Sequence, residues 1–214
     1  MRITTIAQKI STEVNMYLNR VQVADYTFEG QQILKGVDLK FEQCFSPRIF
    51  PLGGIQGCGK STLLKMIFTK LTYGDSANSR ISKAIELDVS DRHIGNVYLL
   101  TTSVDEGLIS IYDSPFFSTF DQIKDRCRWV QGESRSMHKY RALLESISTI
   151  KDSIILMDNP DQGLHGDWQY FLSRDISDLK TSNQFIVATH SYKFCEALTP
   201  KHVRIIDCGV LASV

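Results

Sequence analysis

Pro51-Leu52-Gly53-Gly54-Ile55-Gln56-Gly57-Cys58-Gly59-Lys60-Ser61-Thr62-Leu63-Leu64 is the stretch that decides how the rest of the chain reads. Gly54 to Ser61 fits G-x-x-x-x-G-K-[ST], with strand-like Arg48-Ile49-Phe50 ahead of it and helix-like Leu63, Leu64, Met66 and Ile67 behind it. Backbone N–H groups can converge on a polyphosphate only where glycine permits tight, often left-handed turns, as at Gly54, Gly57 and Gly59. A helix starting near Lys60 aims its positive end at the same phosphates. The pattern predicts a Walker A loop in which Gly54, Gln56, Gly57, Cys58, Gly59, Lys60, Ser61 and Thr62 surround a nucleotide. Lys60 reaches the β- and γ-phosphates and the Ser61 hydroxyl ligates Mg2+. A glycine turn of purely structural purpose has no use for a lysine and a hydroxyl at this offset.

The 214 residues suit one domain, and 43% hydrophobic with 22% charged residues is ordinary for a soluble globular protein. Lys+Arg 24 against Asp+Glu 24 leaves no net charge, so bulk electrostatics predict neither a nucleic-acid nor an acidic-membrane partner. Met1-Arg2-Ile3-Thr4-Thr5-Ile6 lacks the apolar core of a signal peptide, and no apolar run reaches membrane-spanning length; a cytoplasmic protein is expected. Cys44, Cys58, Cys127, Cys195 and Cys208 form no C-x-x-C pair and read as reduced thiols. Cys58, inside the glycine loop, admits a redox role as well as that of a small space-filling residue.

Along the chain, Ile3, Ile6, Ile10, Val14 and Tyr17 recur at helical spacing and predict an amphipathic helix over 1–16. Leu18, Val21, Val23, Tyr26 and Phe28, a turn at Gly30, then Ile33, Leu34, Val37, Leu39 and Phe41 predict two antiparallel strands. Tyr73 to Ser79 is a polar turn, Ile94 to Leu100 a core strand, and a short helix is expected from Ser118. Met137, Tyr140, Leu144 and Ile147 mark one face of a helix capped by Ser134 or Ser136. Ser153 to Asp158 is a short apolar run ending in a carboxylate, the form of a buried parallel strand that delivers Asp158 to a Mg2+ shell. Trp168, Phe171, Leu172, Ile176 and Leu179 are helical in spacing. Phe185 to Thr189 and Val203 to Asp207 read as further strands, the first ending at His190. Alternating strands and helices predict an α/β sheet with phosphate chemistry at its carboxyl edge.

Walker A, a Gly-Glu element before a helix, a Walker B strand and a strand ending in histidine, in this order, resemble the ABC-type ATPases over nearly the whole chain after about residue 17. The resemblance implies a P-loop NTPase fold of the ABC-ATPase type, a mainly parallel sheet flanked by helices. It carries an N-terminal antiparallel β subdomain and a short helical signature subdomain. A single domain over 1–214 then divides into the 1–16 helix, the β subdomain and entry strand at 17–52, and the P-loop and helix at 53–71. The signature subdomain spans 105–150, and Walker B to the C-terminus spans 153–214. Val130-Gln131-Gly132-Glu133-Ser134 looks like the signature segment in the S-x-G-E form of the SMC, RecF and OLD-like branch, which places Gly132 and Glu133 on nucleotide. Asp158 to His165 resembles the D-E-P-E-x-G-L-H stretch of bacterial predicted ATPases. His190 matches the switch histidine that contacts the γ-phosphate. An aromatic ahead of the P-loop stacks on adenine in many ATPases, and Tyr26 or Phe28 stands in that place.

Three departures bear on function. Asn159 occupies the place of the glutamate that polarises water, which predicts slow hydrolysis or a base supplied by Asp161, His190 or a partner. Val130 replaces the signature serine, and Thr101-Thr102-Ser103 stand where a Q-loop glutamine is expected. The interval from Walker A to the signature is too short for a long coiled coil. The resemblance therefore implies a soluble ATPase that binds ATP and Mg2+ between two heads, as a homodimer or hetero-oligomer in a head-to-tail sandwich, and acts on an effector protein, in phage defence among other settings. The nucleotide-binding subunit of a transporter is the alternative, for which Gly30 to Val37 reads like opening strands. A DNA-repair ATPase is a third, for which Arg126, Arg128, Arg135, His138, Lys139 and Arg141 offer a basic cluster around the signature.

Overall fold

The computed structural model describes residues 17–41, 48–76, 79–90, 96–102, 109–113, 121–122, 130–198 and 206–207. In chain order its elements are β1 (Leu18–Val23), β2 (Tyr26–Phe28), β3 (Gln31–Leu34), β4 (Val37–Lys40), β5 (Arg48–Gly53), α1 (Lys60–Tyr73), α2 (Ser79–Ala84), β6 (Ile85–Val89) and β7 (Val97–Thr102). They continue with β8 (Ile109–Asp113), β9 (Asp121–Gln122), α3 (Arg135–Ser148), β10 (Ile154–Asp158), α4 (Gly166–Ser177), β11 (Gln184–Ala188), α5 (Tyr192–Leu198) and β12 (Ile206–Asp207).

A seven-stranded sheet in the order β12-β5-β11-β10-β7-β8-β9 forms the body. Its first five strands are parallel, while β8 and β9 run antiparallel at one edge. The central strands are apolar without a break because both faces are covered. Ile154, Leu156, Ile186, Phe50 and Leu52 pack with α1 and the N-terminal strands. Their alternates Ile155, Met157, Phe185, Val187 and Ile49 pack with α3, α4 and α5. Register aligns Thr101, Asp158, Ala188 and Leu52 across neighbouring strands. The carboxyl ends of β7, β10, β11 and β5 thus lie side by side, with the P-loop following directly on β5.

The β subdomain holds four strands of the 17–41 region rather than the two that alternation predicts. Tyr26–Phe28 and Gln31–Leu34 form a hairpin around the Glu29-Gly30 turn, while β1 pairs with β4 and β6 in a separate three-stranded sheet. Gly36, at φ +56°, breaks the second run before Val37. Buried Gln184 fastens this sheet to the body: its amide donates to the Leu18 carbonyl at 2.8 Å and accepts from the Leu18 N–H at 2.7 Å.

Other boundaries move for similar local reasons. The strand expected at 94–100 is Val97–Thr102, extended by the β-branched Thr101 and Thr102. A helix from Ser118 would have to run through Asp121–Gln122, which instead form β9 against β8. The helical periodicity in 135–148 is rotated from the expected face, since Met137 is exposed whereas Lys139, Ala142, Leu143 and Ile147 are buried. Ser134 is the cap, accepting from the Met137 N–H at 3.2 Å. The predicted 1–16 helix, Cys44, Ser103, Arg126, Cys127, Arg128, Val203 and Cys208 lie outside the described residues. Cys58 and Cys195 are buried and form no disulfide. Among the described residues no helix is long and apolar enough to cross a membrane.

Candidate functional site: a glycine loop facing a carboxylate strand

Strand β5 ends at Gly53, and the chain turns through Gly54 (φ +144°), Gly57 (φ +82°) and Gly59 (φ +91°) before α1 begins. Gly59 has two reasons to be glycine. Its backbone is left-handed, and an added Cβ would meet Leu34 Cδ2 at 2.5 Å and the Ile33 carbonyl at 3.0 Å. The P-loop is therefore seated on β3. Helix α1 has no side-chain cap and no acidic residue in its first turn, which leaves first-turn N–H groups for an anion.

Lys60 is only 3% exposed, and its ammonium lies inside the loop. It donates to the carbonyls of Gly54 at 2.8 Å and Ile55 at 2.9 Å, and approaches Cys58 Sγ at 3.3 Å. His190 Nδ1 stands 3.2 Å from Lys60 Nζ and 3.3 Å from the Gly54 carbonyl, accepting from the first or donating to the second according to its tautomer. The histidine that ends the β11 segment thus meets the P-loop lysine across the strand edge. Cys58 fills space beside the ammonium.

The Ser61 hydroxyl donates to Asp158 Oδ1 at 2.8 Å, joining the first turn of α1 to the end of β10. One hydroxyl and one carboxylate, both hard oxygen donors, fit a Mg2+ that takes its other ligands from phosphates and water. Among the described residues no group of three or more His, Cys, Asp or Glu side chains could hold a metal alone. When bound, Mg2+ would neutralise charge on the β- and γ-oxygens.

Asn159 follows Asp158 in the left-handed region at φ +50°, a conformation asparagine tolerates better than most residues. Its N–H donates to the Ala188 carbonyl at 2.8 Å, and its side-chain amide donates to Asp158 Oδ1 at 3.3 Å. A glutamate could not make that second bond. Asp161 is buried and accepts from the Thr189 hydroxyl at 2.7 Å, and its burial pushes the carboxyl pKa up. Its carboxylate therefore binds the segment leading to His190, and it is not free beside Asp158.

Gly132 lies at φ +84° in an exposed turn, and nothing stands within 4 Å of where its Cβ would be. Glu133, grouped with the nucleotide contacts by resemblance, turns inward. Its side chain is 2% exposed, accepts from Arg141 Nε at 2.9 Å and from the Val130 N–H at 3.1 Å, and pairs with His138 at 3.1 Å. Glu133 shapes the Val130–Gly132 turn, and a carboxylate so engaged has nothing to offer a phosphate. The Arg141 guanidinium, more than the Val130 N–H and His138, holds its pKa down to about 2 against desolvation. A folded-state pKa below the ordinary glutamate value of about 4.5 contributes stability above that value, lost as pH falls toward about 2. Glu133→Gln should therefore melt below wild type at pH 7, and the gap between the two thermal melts should close between pH 4.5 and 2. A constant gap would show that the clamp is not ionic.

The basic cluster does not open outward. His138 and Arg141 face Glu133 and Lys139 is buried, so of the described members only Arg135 is exposed without such a role. Tyr26 pairs in register with Leu34, the residue that touches Gly59, and its half-buried ring borders a polar groove of about 470 Å³ with Arg80 and Lys83. Phe28 is 52% exposed. Thr101 stands beside Asp158 in register, where a glutamine was expected. The sequence offered Ser136 as an alternative cap and Lys139 as part of a basic cluster, but gave no hint that these two and Thr189 organise the turn after Asp158; only their partners, far off in sequence, identify that role.

No protein-family model matches the sequence, and no curated protein does. Among solved structures, the fold is similar to "Putative ABC transporter (ATP-binding protein)" from Pyrococcus furiosus, at 13% identity and TM-score 0.57, over 91% of this chain and 100% of that one. A nucleotide-free ATP-binding cassette from an ABC transporter also aligns, at 17% identity and TM-score 0.45, over 91% and 88%. A parallel sheet flanked by helices, joined to an antiparallel N-terminal β subdomain, gives this chain the fold of the ABC ATP-binding cassettes.

Proposed function

We propose that the chain binds ATP with Mg2+ at the loop Gly54–Thr62 and hydrolyses it slowly, using the nucleotide as the hinge of an assembly. The observation that carries this reading is the convergence of three groups at one sheet edge. Lys60 sits inside a glycine loop, the Ser61 hydroxyl lies 2.8 Å from the Asp158 carboxylate, and His190 meets Lys60 at 3.2 Å. A phosphate chain entering the loop offers Lys60 charge-assisted bonds in exchange for neutral carbonyls. Tyr26 stacks on the base, and Asn159 orients water without acting as a base.

A second chain closes the site. Ile55 in the P-loop is 73% exposed, Val130 in the signature turn 59% and Tyr192 beyond His190 70%, so large apolar side chains stand on the segments around the site. In a head-to-tail pair the Gly132 turn of one chain covers the γ-phosphate held by the other, and an effector protein reads the closed state. The inward pairing of His138 and Arg141 with Glu133 disfavours a DNA-repair role. The transporter-subunit reading has in its favour the similarity in fold to the Pyrococcus furiosus protein described as a putative ABC transporter ATP-binding protein. Copurification with an integral membrane protein would establish it.

The assembly is tested by sedimentation with Mg2+ and saturating ATP, ADP or no nucleotide. ATP should raise the dimer fraction well above that with ADP, because only the γ-phosphate spans the two chains. An identical distribution in all three conditions would remove the nucleotide from the interface.

A further inference from the structure

Lys139 stands where the core-facing stripe of α3 calls for an apolar residue, in line with Ala142, Leu143 and Ile147, and is 6% exposed. Burying an ammonium is costly unless partners compensate, and an apolar side chain of similar length would attach α3 to its neighbours more cheaply. Burial pulls the Lys139 pKa down to about 8, with the nearby Asp161 carboxylate opposing that shift. The ammonium donates to the Gln162 carbonyl, and a Cβ built on Gly163 would stand 4.0 Å from it. The turn after the Walker B strand wraps this one cation.

That turn reaches both ends of the reaction site. Gln162 N–H donates to the Asn159 carbonyl at 3.1 Å, and Asp161 accepts from Thr189, the residue before His190. Ser136, one turn earlier on α3, donates to the Gly163 carbonyl and accepts from the His165 N–H, both at 3.3 Å. Helix α3 itself begins at Arg135, separated from Gly132 and Glu133 only by its cap Ser134.

Resting on the ATPase reading above, we infer that Lys139 is a positioning residue for ATP hydrolysis: its buried ammonium pins the Asp161–Gly163 turn to the signature helix. Asn159 and His190 are thereby held in fixed relation to the Gly132 turn of the same chain. Lys139 touches no nucleotide atom and acts through the turn. A shift of the turn by about 1 Å would lower the rate of hydrolysis by up to roughly 100-fold. It would leave phosphate binding at Lys60 intact.

The test is single-turnover hydrolysis of ATP with Mg2+, protein in excess, alongside the affinity for a fluorescent ATP analogue. Lys139→Met is compared with Lys139→Arg and wild type, with Lys60→Ala as the non-binding control. Lys139→Met should bind the analogue within about threefold of wild type and hydrolyse roughly 10- to 100-fold more slowly. Lys139→Arg, which keeps the charge and the donor, should recover much of the rate. Should Lys139→Met lose its cooperative melt, Lys139→Gln, which keeps a donor without charge, takes its place with the same expectation of a slowed rate at unchanged affinity. A wild-type rate in the uncharged variant, or affinity and rate lost in proportion, overturns the positioning role. Failure of wild type itself to bind the analogue defeats the ATPase reading first, and this inference with it.

Discussion

Lys60→Ala is expected to remove ATP binding, with affinity falling about 100-fold or more, while the protein keeps its cooperative melt. A bound polyphosphate would meet Lys60 as a point charge inside the loop, and charge-assisted bonds of this kind are worth roughly 1.5–3 kcal/mol each. The fold has less at stake. The carbonyls of Gly54 and Ile55, which Lys60 now satisfies, belong to a loop whose Ile55, Gln56 and Gly57 are exposed, so water can replace the ammonium. Removing a cation that is 3% exposed also removes its desolvation cost. A calorimetric titration with ATP and Mg2+, paired with a thermal melt, separates the two effects. Undiminished affinity in a folded Lys60→Ala protein would end the P-loop assignment.

Asn159→Glu is expected to raise the hydrolysis rate. General-base assistance is worth about 10² to 10⁴ in rate, and an amide has no useful basicity near pH 7. The substitution also has a structural cost readable in the backbone. At φ +50° a glutamate is less comfortable than asparagine, by about 1 kcal/mol, and it replaces the amide donor to Asp158 with a second carboxylate. The variant should therefore turn over faster and melt lower. Asp158→Asn, which weakens the Mg2+ shell, should slow turnover. Brisk wild-type hydrolysis that Asn159→Glu fails to raise would mean that another group already serves as base, and a slow, ATP-held state would lose its chemical basis.

The parallel sheet was readable in the sequence because Ile154 to Met157 and Phe185 to Ala188 are buried on both faces, and a run without alternation has few other uses. The P-loop was readable because glycine, lysine and hydroxyl at fixed offsets answer a chemical demand. Lys139 was not. Hydropathy assigns a lysine to the surface, and the carbonyl that holds it belongs to Gln162, in another element. Glu133 was assigned to the nucleotide by resemblance, yet its partners Arg141 and His138 lie on the helix it precedes, and only the fold of that turn directs the carboxylate inward. The four-strand division of the β subdomain depends on Gly36 and on the pairing of β1 with β6, whose nearest partners Val23 and Ile85 stand far apart along the chain.

Titration of wild-type protein with ATP in the presence of Mg2+, followed by calorimetry, tests the central claim most directly. The account predicts saturable binding of one ATP per chain, weakened when Mg2+ is withheld because the Ser61–Asp158 pair then faces the phosphates without the ion. No binding at millimolar ATP, or binding indifferent both to Mg2+ and to the loss of the Lys60 ammonium, would contradict it.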